Sequence, residues 1–186
     1  KPCKPFSKHR NGITIGEAAA SVAISNKKPK TESIQVIGDG SCNDANHISG
    51  PSRDGEGLYR SIVSALNEAK ITPETIDYIS AHGTATLFND EMEAIAFNRV
   101  KLESVPLNSL KGYYGHTLGA SGLLEAIVGI HSMKNNTLYT SLGIDELGVS
   151  VPLNIIQKKK KTEINTFLKT ASGFGGCNTA VLFKKL

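Results

Sequence analysis

Two histidines are the residues of this chain whose type and placement could support chemistry. His82 follows the strand-like run 76–80, and His116 follows a second strand-like run at 105–110. Ligands of α/β sheets collect at the carboxyl ends of the strands, so we expect the two imidazoles to lie close together. A pair of imidazoles at one centre can stabilise charge or move protons during a reaction.

The residues around each histidine make the pair more specific than either histidine alone. A single histidine after a strand is most often a turn or capping residue with a hydrogen-bonded ring. Gly83 and Gly115 lie beside the two histidines and would let the backbone or a substrate approach closely. Thr84 and Thr86 add hydroxyl groups to the loop of the first histidine. We therefore treat the two loops as one candidate site.

Hydrophobic patterns predict alternating strands and helices that would carry these loops. The predicted strands are 15–25, 33–38, 76–81, 105–110, 165–170 and 179–184, and the predicted helices are 55–70, 89–100 and 118–133. Apolar residues cover most of the circumference of the last helix, so we expect it to be buried on several sides. Such a helix favours a layered α/β fold.

Three segments are predicted to be irregular. Residues 38–53 are rich in Gly, Asn, Asp and Ser and predict a loop, and the basic residues at 27–30 predict a solvated turn. Residues 158–161 are four consecutive lysines. Such a run favours a solvated surface loop over a docking patch for an acidic carrier.

The composition fits one soluble globular domain over residues 1–186. The net charge of +4 is too small to indicate a nucleic-acid partner. No run has the length of a membrane-spanning helix, and because the chain begins without Met or a signal core, we expect a fragment or a processed product. The three cysteines fit neither a metal motif nor a disulfide framework, so we expect no metal and a cytoplasmic location.

Four motifs in a fixed order give the chain a family resemblance. They are the opening 4–18, the block 82–86 with Asp90 and Glu93, the block 111–122, and the turn 173–178. Together they resemble the β-ketoacyl-acyl-carrier-protein synthases, the condensing enzymes of the thiolase superfamily. The resemblance is to the C-terminal half of that family. It implies an α/β, thiolase-like fold that forms the C-terminal half of a layered αβαβα sandwich.

The resemblance implies a role for each charged or ionisable residue of the site. His82 and His116 would help to decarboxylate a malonyl thioester and stabilise the enolate oxygen, each with a neutral ring that turns Nε2 to the substrate. Lys111 would fix the charge and orientation around His116, and Glu93 would pair with Lys111. Alternatively, Lys111 is a surface lysine at the end of a strand, and Glu93 is an acid in the first turn of a helix that the helix dipole favours.

The resemblance also implies residues and partners for substrate binding. Thr84 and Thr86 would hydrogen-bond the phosphopantetheine arm of an acyl carrier protein, and Phe174 would gate the acyl pocket. Alternatively, the two threonines cap the loop, and Phe174 is an ordinary aromatic residue of the core. The chain would bind no cofactor of its own. The expected partners are the acyl carrier protein, acyl and malonyl thioesters and, in the full-length protein, a second copy in a homodimer; we expect neither nucleic acid nor membrane.

The implied reaction is a decarboxylative Claisen condensation in fatty acid or polyketide-type synthesis, but its nucleophile is missing here. Cys3 and Cys42 have no context that would lower a thiol pKa. Cys177 takes the place of a hydroxyl residue in the family's last turn, and the resemblance implies that the reactive cysteine belongs to the N-terminal half. We therefore expect this chain alone to be inactive. The alternatives are a non-catalytic thiolase-fold partner or binding module, and a thiolase-like enzyme that acts on coenzyme A esters.

Overall fold

A computed structural model of the chain describes residues 1–27 and 33–186. The strands are β1 (Ile34–Asn43), β2 (Tyr78–Ser80), β3 (Leu107–Asn108), β4 (Thr137–Leu138), β5 (Lys160–Lys161), β6 (Thr166–Gly173) and β7 (Cys177–Lys185). The helices are α1 (Glu56–Ala69), α2 (Leu87–Arg99), α3 (Lys111–Tyr114) and α4 (Ser121–Lys134). Within the described ranges, no helix is long and apolar enough to span a membrane. Most of the turn predicted at 27–30 lies outside the described residues.

Five strands form one mixed sheet in the order β1–β7–β6–β2–β3. β2 runs parallel to β3 and β6, whereas β7 runs antiparallel to β6 and β1. The parallel strands end at the same edge of the sheet, so the loops with His82 and Lys111 begin side by side. β6 continues beyond this edge, because its Lys169 already pairs with Ser80, the last residue of β2.

Successive side chains along the strands point to opposite faces of the sheet, so the buried apolar residues form one cluster on each face. Ile79 of β2 and Leu168 of β6 belong to a cluster with α1 and α2. Their neighbours Tyr78 and Phe167 belong to a second cluster with α4. Because successive strand residues point to opposite faces, helices cover both sides of the sheet. The predicted layered α/β arrangement is confirmed.

β1 extends through residues whose composition predicts a loop. A Cβ on Gly38 would lie 2.4 Å from the carbonyl oxygen of Ala65, and a Cβ on Gly40 would lie 2.0 Å from that of Ser61. Both carbonyls belong to α1, so the glycines allow this helix to pack directly on the strand. The loop predicted at 38–53 is therefore wrong as far as Asn43.

The predicted strand at 15–25 is also wrong. The segment is largely exposed, and Ile24 has 84% of its surface in solvent. Its regular backbone contacts are confined to one place, where the N–H of His116 donates to Thr14 and the N–H of Gly16 donates to His116. A strand needs a neighbour along its whole length, so this segment supports the loop of His116 instead of joining the sheet.

α4 is buried along one face. Ala126 and Gly129 lie on that face, and a Cβ on Gly129 would lie 2.5 Å from the ring of Phe167. The apolar residues around the rest of the helix are only half-buried, namely Leu123, Leu124, Ile127, Val128 and Ile130. The prediction of a helix buried on several sides is therefore wrong for this chain, because the residues packed against it, from β6, β2 and β4, cover one face.

Candidate active site

His82 lies just beyond the carboxyl end of β2, where Glu93 of α2 fixes its backbone. The N–H groups of His82 and Gly83 donate to the two carboxylate oxygens at 2.9 and 2.6 Å. The hydroxyl of Thr170 donates to the same carboxylate at 3.0 Å. Glu93 is fully buried. It therefore holds the loop backbone, and the predicted pairing with Lys111 is wrong.

Asp90, in the first turn of α2, holds the next part of the same loop. Its carboxylate accepts the N–H groups of Thr84 and Ala85 at 3.0 and 3.1 Å, and that of Phe6 at 2.7 Å. Burial raises the pKa of Asp90 to about 7, whereas the amide donors favour its charged form. Two acids of one helix thus fix the loop that carries the first histidine.

His116 follows α3 and meets His82 in the folded chain. The two ring centroids are 5.2 Å apart, and the ring planes are nearly perpendicular at 83°. The backbone N–H of Leu118 donates to Nδ1 of His116 at 3.0 Å. The structure therefore brings both imidazoles to one place, as the positions of the strand ends predict.

Lys111 is buried and contacts His82 rather than His116. Its Nζ lies 3.2 Å from Nδ1 of His82 and donates to the carbonyl oxygen of the same residue at 2.5 Å. It also forms an ion pair with Oε1 of Glu125 in α4 at 2.5 Å. The imidazole that Lys111 orients is therefore that of His82, and its carboxylate partner is Glu125.

Glu125 bridges two buried lysines. Its second carboxylate oxygen lies 2.7 Å from Nζ of Lys169 in β6, and the three side chains are at most 4% exposed. Burial alone would raise the pKa of Glu125, but the two ammonium groups hold it below its ordinary value. The sequence motifs assign a role to neither Glu125 nor Lys169. Glu125 is one acid in an apolar helix, and Lys169 is one lysine in a buried strand. Because an isolated buried charge needs a partner, this pattern could have indicated that the two residues pair.

Both imidazoles are neutral and use Nδ1 as an acceptor. Burial lowers the pKa of His82 well below its ordinary value, and Lys111 and Lys169 lower it further. Burial and Lys111 also lower the pKa of His116. Because the ammonium group of Lys111 and the amide of Leu118 donate to the two Nδ1 atoms, each ring carries its proton on Nε2. The site therefore offers two neutral N–H donors.

The lowered histidine pKa values predict that acid destabilises the fold through these rings. Below the ordinary value of 6.5, the unfolded chain binds protons that the folded imidazoles do not bind. The free energy of unfolding therefore falls as the pH decreases toward the folded pKa values. His82→Gln is expected to reduce this fall by up to about 1.4 kcal/mol per pH unit. Urea denaturation between about pH 7 and about pH 5 measures the difference.

The control for this measurement is His131→Gln, since His131 is exposed at the end of α4. This variant should keep the pH dependence of the original chain. The same slope in the original chain and in His82→Gln would contradict the prediction.

A cavity of about 680 Å³ opens beside the two histidine rings. Thr84, Thr86 and Phe174 line it, and the two threonine hydroxyl oxygens are 2.8 Å apart. Phe174 remains 77% exposed, and the two glycines that follow it have positive φ angles. The three residues predicted to bind substrate thus share one cavity with both histidines, whereas Lys111 and Glu93 lie behind it.

Residues 34–145 match the family model described as Beta-ketoacyl synthase, C-terminal domain. The chain belongs to the β-ketoacyl synthase family. It is similar to the 3-oxoacyl-[acyl-carrier-protein] synthase 2 of Rhizobium meliloti (strain 1021), with 35% identity over 194 residues that cover 100% of this chain and 46% of the relative. The chain therefore spans about half the length of the curated relatives it matches and corresponds to the C-terminal half of a β-ketoacyl synthase.

Solved ketosynthases share the fold of the chain. The ketosynthase ApeO of Xenorhabdus doucetiae, solved in complex with its chain length factor ApeC, has a TM-score of 0.86 and 30% identity, covering 100% of this chain and 47% of that one. A type II polyketide ketosynthase, solved with its acyl-carrier protein and bound to a hexaketide, has a TM-score of 0.78 and 30% identity. The match covers 81% of this chain and 38% of that one. The chain thus has the predicted α/β, thiolase-like fold.

Proposed function

We propose that residues 1–186 form one domain that supplies decarboxylation and enolate stabilisation in a 3-oxoacyl-[acyl-carrier-protein] synthase. A malonyl thioester would lose CO₂, and the electron pair of the broken C–C bond would enter an enolate. The Nε2–H groups of His82 and His116 would donate to the enolate oxygen. The enolate carbon would then attack an acyl thioester and release the thiolate that held the acyl group.

The geometry of the two rings carries this proposal. The ring centroids are 5.2 Å apart, and both Nδ1 atoms already accept hydrogen bonds, so both Nε2 atoms donate. Two neutral donors suit an oxygen that gains negative charge during the reaction, because they need no proton transfer beforehand. Lys111 and Glu125 would keep the His82 ring in this state.

Delivery of the substrate follows from the open cavity. We infer that Thr84 and Thr86 bind a phosphopantetheine arm and that Phe174 gates the acyl end of the cavity. The similarity to a ketosynthase solved with its acyl-carrier protein supports an acyl carrier protein as the partner. A homodimer in the full-length protein and a cytoplasmic location remain part of the proposal.

The nucleophile is expected outside this chain. Cys3 is buried and donates to the carbonyl oxygen of Lys111, and burial raises the pKa of its thiol. Cys177 lines the cavity, but it begins a strand rather than a helix, and a helix N-terminus is the usual means of activating a thiol. The half-buried face of α4 supports a missing half that would cover it and bring the reactive cysteine.

Acylation with a labelled acyl donor tests this division of labour. The chain alone is expected to form no stable acyl-enzyme and no condensation product, whereas the protein that joins it to the missing half should form both. Stoichiometric acylation of the chain that disappears in Cys177→Ser would contradict the proposal, because the nucleophile would then be local. A joined protein that is acylated but neither decarboxylates nor condenses malonyl-carrier protein would favour the non-catalytic alternative.

A further inference from the structure

Lys169 is a buried lysine in β6 for which the reaction described above has no direct use. Its side chain is 4% exposed, and it belongs to the buried run 166–170. An ammonium group is costly to bury unless it is paired and hydrogen-bonded. The contacts of its Nζ atom therefore indicate what the residue does.

The ammonium group of Lys169 joins two parts of the candidate site. Nζ lies 2.7 Å from Oε2 of Glu125, whereas Lys111 contacts the other oxygen. It also donates to the carbonyl oxygen of Ser80 at 3.2 Å. Ser80 ends β2, and His82 follows it after one residue. Lys169 thus connects the carboxylate behind the site to the strand end that carries the first histidine.

We propose that Lys169 is a positioning residue for the two histidines. It holds the Glu125 carboxylate from the side opposite Lys111 and ties it to the end of β2. Lys111 then stays aligned on Nδ1 of His82. The proposal deepens the proposed function and rests on it for any effect on the reaction.

The charge balance of the site supports the same role. The ionisable groups near His82 come from several elements, namely Asp90 and Glu93 of α2, Lys111 of α3, Glu125 of α4, Lys169 of β6 and the neighbouring His116. The two ammonium groups share the Glu125 carboxylate, whereas the Glu93 and Asp90 carboxylates accept backbone N–H groups of the His82 loop. Loss of one ammonium group would leave an excess negative charge, which favours the protonated form of an imidazole. Lys169 therefore also helps to keep both rings neutral.

NMR titration of the histidine rings tests the proposal on the chain itself, without an activity assay. In Lys169→Gln we expect the pKa of both site histidines to rise. We also expect ¹⁵N shifts of His82 to show a mixture of ring tautomers, because Lys111 loses its alignment. A merely structural lysine would change the stability of the fold but not the tautomer or the titration.

Matched variants and internal references complete the titration. The three exposed histidines serve as references in every sample, namely His9, His47 and His131. Lys169→Arg keeps the charge and should preserve both pKa values. Lys158 is exposed, so Lys158→Gln should change neither ring. Unchanged titrations in Lys169→Gln, or an equal rise in Lys158→Gln, would overturn the proposal.

A stability comparison covers the case in which Lys169→Gln folds but is too unstable for the NMR titration. Positioning through Glu125 predicts that Glu125→Gln with Lys169→Gln is less destabilised than the two single changes added together, because the double change removes both members of one buried ion pair, whereas each single change leaves one charge without that partner. Additive urea midpoints, or a double variant that folds no better than Lys169→Gln, would overturn the proposal. If the proposed function is wrong but Lys169 does position the histidines, the titrations of Lys169→Gln will change as expected, while the joined protein will show no condensation.

Discussion

Replacing His116 with alanine is expected to lower the condensation rate of the complete protein by about 10²- to 10³-fold, the usual cost of removing one oxyanion donor. The variant leaves His82 as the single N–H donor at the enolate oxygen. The effect should be on kcat more than on KM, since the donor acts mainly in the transition state. Release of CO₂ from malonyl-carrier protein and formation of the condensed product both measure it.

Two comparisons distinguish loss of the His116 N–H donor from a general loss of folded structure. His131→Ala changes an exposed histidine of α4 and should keep the original rate. Formation of the acyl-enzyme should survive in His116→Ala, because the proposed nucleophile lies outside this chain. A variant that loses acylation but keeps decarboxylation would show that His116 serves the nucleophile and not the enolate.

Removal of the Glu125 carboxylate is expected to destabilise the fold by about 3–5 kcal/mol, the usual cost of breaking a buried ion pair from one side. Glu125→Ala would leave the ammonium groups of Lys111 and Lys169 facing each other without exposure to water. The same change would free Lys111 from its place beside His82. Urea denaturation of the chain, followed by circular dichroism, measures the loss of stability.

Glu56 offers a matched control, because it also bridges two cations. Its carboxylate pairs with Arg60 and Arg99 at 2.6 Å each, but its side chain is 37% exposed. Water and salt screen such surface pairs, so Glu56→Ala should cost far less stability than Glu125→Ala. Similar losses in the two variants would contradict the view that burial makes the Glu125 bridge decisive.

Short-range patterns predicted the elements around the site well. The helices 55–70 and 89–100 and the strands at 33–38, 76–81, 165–170 and 179–184 correspond to elements of the structure, with shifted ends. The predicted strand at 15–25 failed because its apolar residues suggest burial, while strand formation depends on a neighbour. The loop predicted at 38–53 failed in part because Gly38 and Gly40 serve close helix packing and not a turn.

The carboxylate partner of Lys111 depends on helix packing, which spacing along the chain does not determine. Glu93 and Glu125 are both acids on helices that follow the site loops, and spacing along the chain favours neither. The packing of α2 and α4 on opposite faces of the sheet decides between them. Glu93 reaches the loop backbone, whereas Glu125 reaches the lysine.

The sequence by itself determined the family, the layered α/β class and the residues that meet at the cavity, because motifs and hydrophobic periods depend on neighbours along the chain. Only the tertiary structure decided which charges pair, which ring nitrogen of each histidine donates, and that Lys169 contacts Glu125. These features depend on distances of a few ångströms between residues far apart in sequence. Burial then makes each such contact matter, because a charge without a partner is costly away from water.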